Sequence, residues 1–261
     1  MIKALFLDID GTLVSFRTHS IPASAVEAIA AARRRGVKVF IATGRPRVLI
    51  NNLSPLSEQH QIDGYVTMNG GYCFVGDEVI SKAPLPTDEV KTMLDYCTAR
   101  DITCVVVGEH DICACQPGEM LRKIFNEHLH AKELPACTPE EALRHITEVY
   151  QLSPFLNAAQ EQEIGPSVPH CEIGRWHPAF VDITAKGVTK QLGIDCICRH
   201  FGIRVEETMA VGDGGNDIPM LRHAGIGVAM GNATDEVKAA ATYVTDTVDE
   251  DGLAKAIERW V

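Results

Sequence analysis

Short apolar runs alternate with stretches of helical period near the beginning of the chain. Residues 3–8 and 37–42 are apolar runs of strand length, and the residues between them place their apolar side chains on one helical face. We expect Pro22 to open this helix, with Ser24 and Glu27 as a capping box. The order strand, helix, strand predicts a right-handed parallel crossover.

The same alternation continues after Gly44, where a helix is expected, and returns near the C-terminus. The further predicted strands are Tyr65–Met68, Thr208–Gly212, Ile226–Met230 and a short one near Tyr243, and the further helices are Gln191–Phe201, Asp217–His223, Thr234–Ala241 and Gly252–Trp260. Strands and helices that alternate at both ends of a chain are typical of one α/β domain. The sequence therefore predicts a doubly wound, Rossmann-like parallel-sheet core.

The middle of the chain has a different pattern, bounded by Pro84, Pro86 and Pro178. The predicted helices there are Glu89–Ala99, Glu119–His130 and Glu140–His145, and the strands are Cys104–Val107, Ile112–Cys115, Val149–Leu152, Cys171–Gly174 and Ala179–Thr184. This mixture predicts an inserted α+β domain of about 95 residues. We expect core segments at 1–83 and 179–261, with the insertion at 84–178.

Composition and charge narrow the classes of protein. The 261 residues are 46% apolar and 23% charged, with a net charge of −11, which is ordinary for a globular chain. An acidic surface weighs against binding to nucleic acid or to anionic membranes, and no apolar run reaches the length of a membrane span. Nine cysteines without a C-x-x-C pair predict a reducing, cytoplasmic location. The two C-x-C pairs, Cys113 with Cys115 and Cys196 with Cys198, are read as small buried apolar residues in preference to a metal site.

Carboxylates follow two of the predicted strands. Asp8 and Asp10 come directly after the first strand, and Asp213 and Asp217 follow a strand near the C-terminus. Open α/β sheets bind ligands at the carboxyl ends of their strands, and hard Mg²⁺ is the natural cation between carboxylates. A solvated Asp-Gly turn at Asp10 and Gly11 is the simpler alternative for the first pair.

A hydroxyl and a lysine suggest that an anion binds at the same edge. Thr43 and Gly44 follow the second strand, where a hydroxyl and close backbone approach suit a phosphate, although a plain β–α turn has the same residues. Lys186 or Lys190 stands before or at the start of a predicted helix. A cation there is misplaced with respect to the helix dipole unless an anion lies nearby, but a surface lysine is the usual case.

The order of these residues resembles the haloacid dehalogenase-like hydrolase superfamily over essentially the whole chain. The four family motifs correspond in order to Asp8 with Asp10, Thr43, Lys190, and Asp213 with Asp217. The insertion is similar to the type IIB cap of the Cof-type subfamily, as are the segments ATGRP, MNGG and GVTK. The stretch from Cys171 to Asp195 looks most like that of hexose-phosphate phosphatases.

This resemblance implies a Mg²⁺-dependent phosphatase of small phosphorylated metabolites. Asp8 would form an aspartyl-phosphate, Asp10 would act as general acid and base, and Asp213 would hold Mg²⁺ together with Asp8 and the Asp10 carbonyl. Lys190 is preferred to Lys186 because it aligns with the family pattern. The residues expected to hold phosphate or substrate, or to support those that do, are Thr43, Gly11, Gly44, Arg45, Asn69, Arg175, Asn216 and Asp217.

Two other functions remain open from the sequence. A sugar phosphomutase would share the cap type and the first motif, but residues 165–176 offer only His170 and Arg175 for a second phosphate. A non-catalytic regulatory domain that responds to Mg²⁺ and phosphate is the other alternative. In each case the expected partner is a small phosphorylated molecule, and the protein is expected to be a monomer or a small homo-oligomer.

Overall fold

A computed structural model describes residues 1–128 and 133–261. The strands are β1 (Ala4–Leu7), β2 (Lys38–Ala42), β3 (Gly64–Thr67), β4 (Tyr72–Val75), β5 (Glu78–Lys82), β6 (Cys104–Val107), β7 (Ile112–Cys115), β8 (Ala136–Cys137), β9 (Gln151–Pro154), β10 (Cys171–His177), β11 (Phe180–Ala185), β12 (Thr208–Gly212), β13 (Ile226–Ala229) and β14 (Tyr243–Val244). The α-helices are α1 (Ala23–Arg34), α2 (Ser54–Ser57), α3 (Thr87–Ala99), α4 (Glu119–Leu121, continued by a π-helix at Arg122–His128), α5 (Pro139–His145), α6 (Ala158–Ile164), α7 (Lys190–Phe201), α8 (Ile218–His223), α9 (Asp235–Ala240) and α10 (Gly252–Trp260).

The chain forms two compact units. The core unit contains residues 1–45, 52–82 and 189–261, and the cap unit contains 46–51 and 83–188. The second boundary lies at Val188 rather than at 178, because β11 pairs with β9 and β10 in the cap sheet. The insertion expected from the proline pattern therefore extends through one more strand.

The core unit is built on an eight-stranded sheet with the order β14-β13-β12-β1-β2-β3-β4-β5. The strands from β14 to β3 are parallel, and β4 and β5 add an antiparallel edge. All four residues of β1 are buried, as expected for a strand covered on both faces. Phe6 stacks on Phe40 at 5.1 Å, and Ile194 and Ile197 of α7 join the same core. The predicted doubly wound α/β fold is confirmed.

The cap unit has a six-stranded sheet with the order β10-β11-β9-β6-β7-β8. Its neighbouring strands are antiparallel except for β7 and β8. Helix α3 buries Val90, Met93, Leu94 and Cys97 in the core beside this sheet. This arrangement agrees with the α+β insertion predicted from the sequence.

Several local expectations were wrong. Helix α1 begins at Ala23, so the N-cap residue is Pro22, which has no side-chain cap, and Ser24 is the second residue of the helix. The Ser24 hydroxyl donates to Asp251 at 2.5 Å, and no capping box forms with Glu27. The helix expected after Gly44 is reduced to one 3₁₀ turn and the four-residue α2. Of the helix expected at Glu119–His130, the part from residue 129 onward lies outside the described residues. None of the described helices is both long enough and apolar enough to span a membrane.

Candidate active site

The site residues come together at the carboxyl edge of the core sheet. Strands β13, β12, β1 and β2 are consecutive neighbours in the sheet. Because parallel strands end at the same edge, the loops that follow them are adjacent. These loops carry Asp8 and Asp10 after β1, Thr43 after β2, Asp213 after β12 and Asn232 after β13.

Three carboxylates form an acidic cluster at this edge. Asp8, Asp213 and Asp217 each offer an oxygen within 4.8 Å of the others. Burial raises the pKa of Asp8 well above its ordinary value, and the negative charge of Asp217 raises it further. The same two causes raise the pKa of Asp213 to about 7. These carboxylates repel one another, so the cluster suits a small, hard cation with oxygen ligands.

Lys190 supplies the compensating charge from within the protein. Its side chain is fully buried, and Nζ donates to Oδ1 of Asp8 and to Oδ1 of Asp217, each at 2.6 Å. Burial alone would lower the pKa of Lys190, but the two carboxylates outweigh this effect and raise it. Lys186, the alternative lysine, is an exposed cap residue whose Nζ lies 3.5 Å from the carbonyl of Pro169.

The start of α7 fixes the position of Lys190. Thr189 caps the helix and accepts a hydrogen bond from the Leu192 N–H at 3.3 Å. The loop after β3 packs against this point, and Gly70 there has φ +101°. A Cβ on Gly70 would overlap the carbonyl oxygen of Thr189, so only glycine allows this approach. The MNGG segment thus supports the helix end that carries the lysine.

Asp213 and Asp217 are both held by neighbouring donors. Thr12 Oγ1 donates to Oδ1 of Asp213 at 3.1 Å, and Asn232 Nδ2 donates to Oδ2 at 3.0 Å. Oδ2 of Asp217 accepts the backbone N–H groups of Asp213 and Gly214, both at 2.9 Å. The other oxygen of Asp217 accepts from Lys190, so Asp217 contacts both the lysine and the loop after β12; its supporting role in the reaction stays a prediction.

Asn232 was missed by the sequence analysis. Its side chain also donates to the carbonyl of Gly11 at 2.9 Å and accepts from the N–H of Val248 at 3.0 Å. It thereby ties the loop after β1 to Asp213. A Cβ on Gly11, where φ is +85°, would overlap the Asp213 carboxylate. The position of Asn232 just after a strand that neighbours β12 was the signal that could have identified it.

Thr43, Gly44, Asn69 and Asn216 lie close together. The backbone N–H of Asn69 donates to the Thr43 carbonyl at 3.0 Å, and Asn216 Nδ2 donates to Oδ1 of Asn69 at 3.0 Å. A Cβ on Gly44 would lie 3.3 Å from the same Oδ1. The buried Thr43 hydroxyl accepts from the Arg45 N–H at 3.0 Å and retains its own proton for donation. Four residues proposed to bind phosphate or substrate are thus brought together.

Arg45 makes a contact that was not expected from the sequence. Its Nε donates to Oδ2 of Asp10 and its Nη2 donates to Oδ1, both at 2.7 Å. Both carboxylate oxygens of Asp10 therefore accept from one guanidinium, whose fork matches the carboxylate. This places Arg45 on the proposed general acid, whereas the sequence analysis assigned it to phosphate or substrate.

Arg175 lies within strand β10 of the cap unit rather than in a turn between strands. Its Nη2 donates to the Leu156 carbonyl at 2.9 Å and to Glu161 at 2.8 Å, and Nη1 donates to the Pro178 carbonyl at 3.1 Å. These bonds hold the β10–β11 hairpin against α6 and the segment before it. The expected role of Arg175 in holding the substrate stays a prediction.

Comparison with known proteins identifies the family. Residues 5–257 match the family model described as haloacid dehalogenase-like hydrolase. The chain therefore belongs to this family, as its motifs predicted, and it is an enzyme of the phosphoric monoester hydrolase class.

Particular relatives agree with this class. A structure of the haloacid dehalogenase subclass IIB sugar phosphatase BT4131 is 59% identical, with a TM-score of 0.94, and the match covers 99% of this chain and 98% of that one. A structure from a study of a trigonal-bipyramidal intermediate in a phosphoryl-transfer superfamily is 58% identical, with a TM-score of 0.95 and coverage of 100% and 99%. The Bacillus subtilis (strain 168) 5-amino-6-(5-phospho-D-ribitylamino)uracil phosphatase YcsE is 30% identical over 100% of this chain and 96% of its own.

Proposed function

We propose that this enzyme hydrolyses small phosphorylated metabolites, hexose phosphates in particular, through an aspartyl-phosphate on Asp8 and with Mg²⁺ as cofactor. The observation that carries the proposal is the group formed by the buried Asp8, Lys190 and Asp217 with the half-buried Asp213 at the carboxyl edge of the core sheet. The high identity to a sugar phosphatase supports the substrate class.

The donor set fits Mg²⁺. Asp8 and Asp213 would supply carboxylate oxygens, and Asp10 would supply its backbone carbonyl. Asp217 is committed to the Lys190 cation and to two backbone N–H groups, whereas each oxygen of Asp213 accepts one hydrogen bond and keeps a lone pair. All of these ligands are hard oxygens, as Mg²⁺ prefers. The bound ion would neutralise the negative charge that a phosphate group brings to two carboxylates.

Asp8 is the proposed nucleophile. Its Oδ1 accepts from Lys190, and no hydrogen bond of the described residues reaches Oδ2, which leaves that oxygen to attack phosphorus. Lys190, the Thr43 hydroxyl and the Gly44 N–H would donate to the phosphate oxygens and stabilise the charge of the transition state. The phosphoryl group would pass from the substrate oxygen to Oδ2 and then to water.

Asp10 is the proposed general acid and base. It would protonate the leaving alkoxide and later remove a proton from the hydrolytic water. Because each of its oxygens accepts one hydrogen bond from Arg45 in this arrangement, the proton that Asp10 delivers would be carried on one of the remaining lone pairs. We therefore assign Arg45 a role in positioning Asp10.

The activity itself should require a divalent cation. We expect release of inorganic phosphate from hexose phosphates with Mg²⁺, loss of this activity in EDTA, and recovery when Mg²⁺ is restored. Ca²⁺ should support the reaction poorly, because its larger and looser coordination misplaces the nucleophile. The measurement is a phosphate assay over a panel of phosphorylated metabolites, scored by kcat/KM. Full activity in metal-free buffer would contradict the cofactor, and isomerised sugar phosphate without phosphate release would indicate a mutase.

The loss of hydrolysis rate on replacing Asp10 should depend on the leaving group of the substrate. Asp10→Asn keeps the backbone carbonyl but removes the acid, so we expect hexose phosphate hydrolysis to fall by roughly 10²–10⁴-fold. p-Nitrophenyl phosphate should lose less, because its leaving group needs little protonation.

Arg45→Lys is the matched comparison for Asp10→Asn, since it keeps the carboxylate and removes the paired donors. We expect a smaller loss with the same dependence on leaving group. Steady-state kinetics on both substrates tests both variants. Equal losses on the two substrates, without a burst of p-nitrophenol, would contradict the assignment of Asp10 as general acid.

A further inference from the structure

Cysteines cluster on three neighbouring strands of the cap sheet. Cys104 on β6 lies opposite Cys115 on β7, and Cys115 lies beside Cys137 on β8. Cys113 is two residues before Cys115, so both side chains stand on the same face of β7. This cluster belongs to the cap unit and is separate from the phosphatase residues of the core unit.

The sulfur atom of Cys137 contacts the sulfur atoms of both Cys113 and Cys115. Cys113 and Cys137 are joined as a disulfide, and Sγ of Cys115 lies 3.6 Å from Sγ of Cys137. Cys137 is therefore the sulfur shared by two possible partners. It is also the most accessible of the three, since it is partly exposed whereas Cys113 and Cys115 are buried.

We propose that Cys113, Cys115 and Cys137 form a thiol–disulfide exchange site that reacts with small disulfides of the glutathione type. The accessible Cys137 thiolate attacks the small disulfide, forms a mixed disulfide and releases one thiol. Cys113 then displaces the second thiol, which gives the Cys113–Cys137 bond. Two protein thiols are oxidised and one small disulfide is reduced to two thiols, so electrons and protons balance.

Cys115 acts as the exchanging partner. Its thiolate attacks Sγ of Cys137, forms a Cys115–Cys137 bond and releases Cys113, with no external oxidant. Burial, together with the nearby Cys97, Glu140 and Glu141, raises the pKa of Cys115 to about 11. A buried thiol that is mostly protonated reacts slowly with reagents in solution, so the exchange of Cys115 is confined to the Cys137 sulfur, which lies 3.6 Å away.

The test is a thiol count after oxidation. The full chain is reduced, incubated with oxidised glutathione, freed of it, denatured and titrated with an aromatic disulfide reagent. We expect the nine cysteines to fall to seven free thiols. Cys113→Ser should still lose two thiols, because Cys115 takes over as partner, and so should Cys115→Ser. Cys137→Ser should lose none, whereas the control Cys196→Ser, in the core unit, should lose two like wild type.

Peptide mapping without reductant identifies the linkage, and circular dichroism checks that each variant is folded. A Cys113–Cys137 crosslink in wild type and a Cys115–Cys137 crosslink in Cys113→Ser would support the proposal. Nine surviving thiols in the oxidised wild type, or a loss of two thiols in Cys137→Ser, would overturn it. Recovery of all nine thiols with a chelator alone would overturn it as well, because the three sulfurs would then be metal ligands. None of these readouts depends on phosphatase activity.

Discussion

Asp8→Asn should abolish phosphatase activity, with a loss of roughly 10⁴-fold or more in kcat/KM, as expected when a nucleophile is removed. The amide cannot form the aspartyl-phosphate, so the loss should be equally severe for hexose phosphates and p-nitrophenyl phosphate. This uniform loss distinguishes Asp8 from Asp10, whose replacement should depend on the leaving group. Acid quenching during turnover of a ³²P-labelled substrate should trap labelled wild-type protein and no labelled variant.

The unfolding temperature of the Asp8→Asn variant shows whether its loss of activity comes from the missing nucleophile or from a damaged fold. Asp8 lies in a cluster where carboxylates repel one another, and Lys190 keeps Asp217 as a partner when Asp8 is lost. We therefore expect the metal-free variant to unfold at the same temperature as wild type or higher. Asp246→Asn, which removes an exposed carboxylate paired with Lys255, is the control and should keep full activity. Labelled protein from Asp8→Asn would contradict the nucleophile assignment.

The core of the fold could be predicted because its signals are local. The strands β1, β2 and β12 are apolar runs, and buried parallel strands need side chains that are apolar on both faces. The hairpin of β4 and β5 was missed, although Gly76, with φ +58°, and Asp77 separate two short strands in a way typical of hairpin turns. The capping box at Ser24 was wrong because α1 begins one residue earlier, which places Ser24 inside the helix, where its hydroxyl donates to the distant Asp251. A contact between residues so far apart in the sequence cannot be predicted from the local pattern of residues.

The same distinction applies to the site. Asp8, Thr43 and Asp213 could be found because each follows a strand, and the carboxyl ends of parallel strands meet at one edge. The contact of Arg45 with Asp10 depends on how the loops after β1 and β2 are positioned relative to each other. The spacing of residues in the sequence does not determine this. The choice between Lys186 and Lys190 came from the family pattern, and only the structure places Lys190 between two carboxylates.

Lys190→Met should be the other severely impaired variant. Methionine has nearly the length of lysine but no charge, so the phosphate loses a donor and we expect kcat to fall by roughly 10²–10³-fold or more. Lys186→Met, the matched change at the alternative lysine, should leave kcat within about two-fold of wild type, because Lys186 is exposed and its Nζ lies 3.5 Å from a backbone carbonyl, that of Pro169. Phosphate assays with saturating Mg²⁺ measure both, and equal losses in the two variants would contradict the choice of Lys190.

The stability of Lys190→Met should depend on pH in a way that a surface substitution cannot reproduce. The variant leaves the buried carboxylates of Asp8 and Asp217 without their cation. Removing one member of a buried ion pair lowers the free energy of unfolding by about 3–5 kcal/mol.

The size of this deficit should change with pH. The pKa of Asp8 is already raised by burial and by Asp217, and loss of Lys190 raises it further. A carboxyl whose pKa is higher in the folded than in the unfolded state stabilises the fold when protonated, and this stability is lost as the pH rises through the folded-state pKa. Metal-free Lys190→Met should therefore gain stability relative to wild type as the pH falls from about 8 toward 5, measured by denaturant unfolding at each pH. A deficit that stays constant over this range would mean that Lys190 does not neutralise the buried carboxylates.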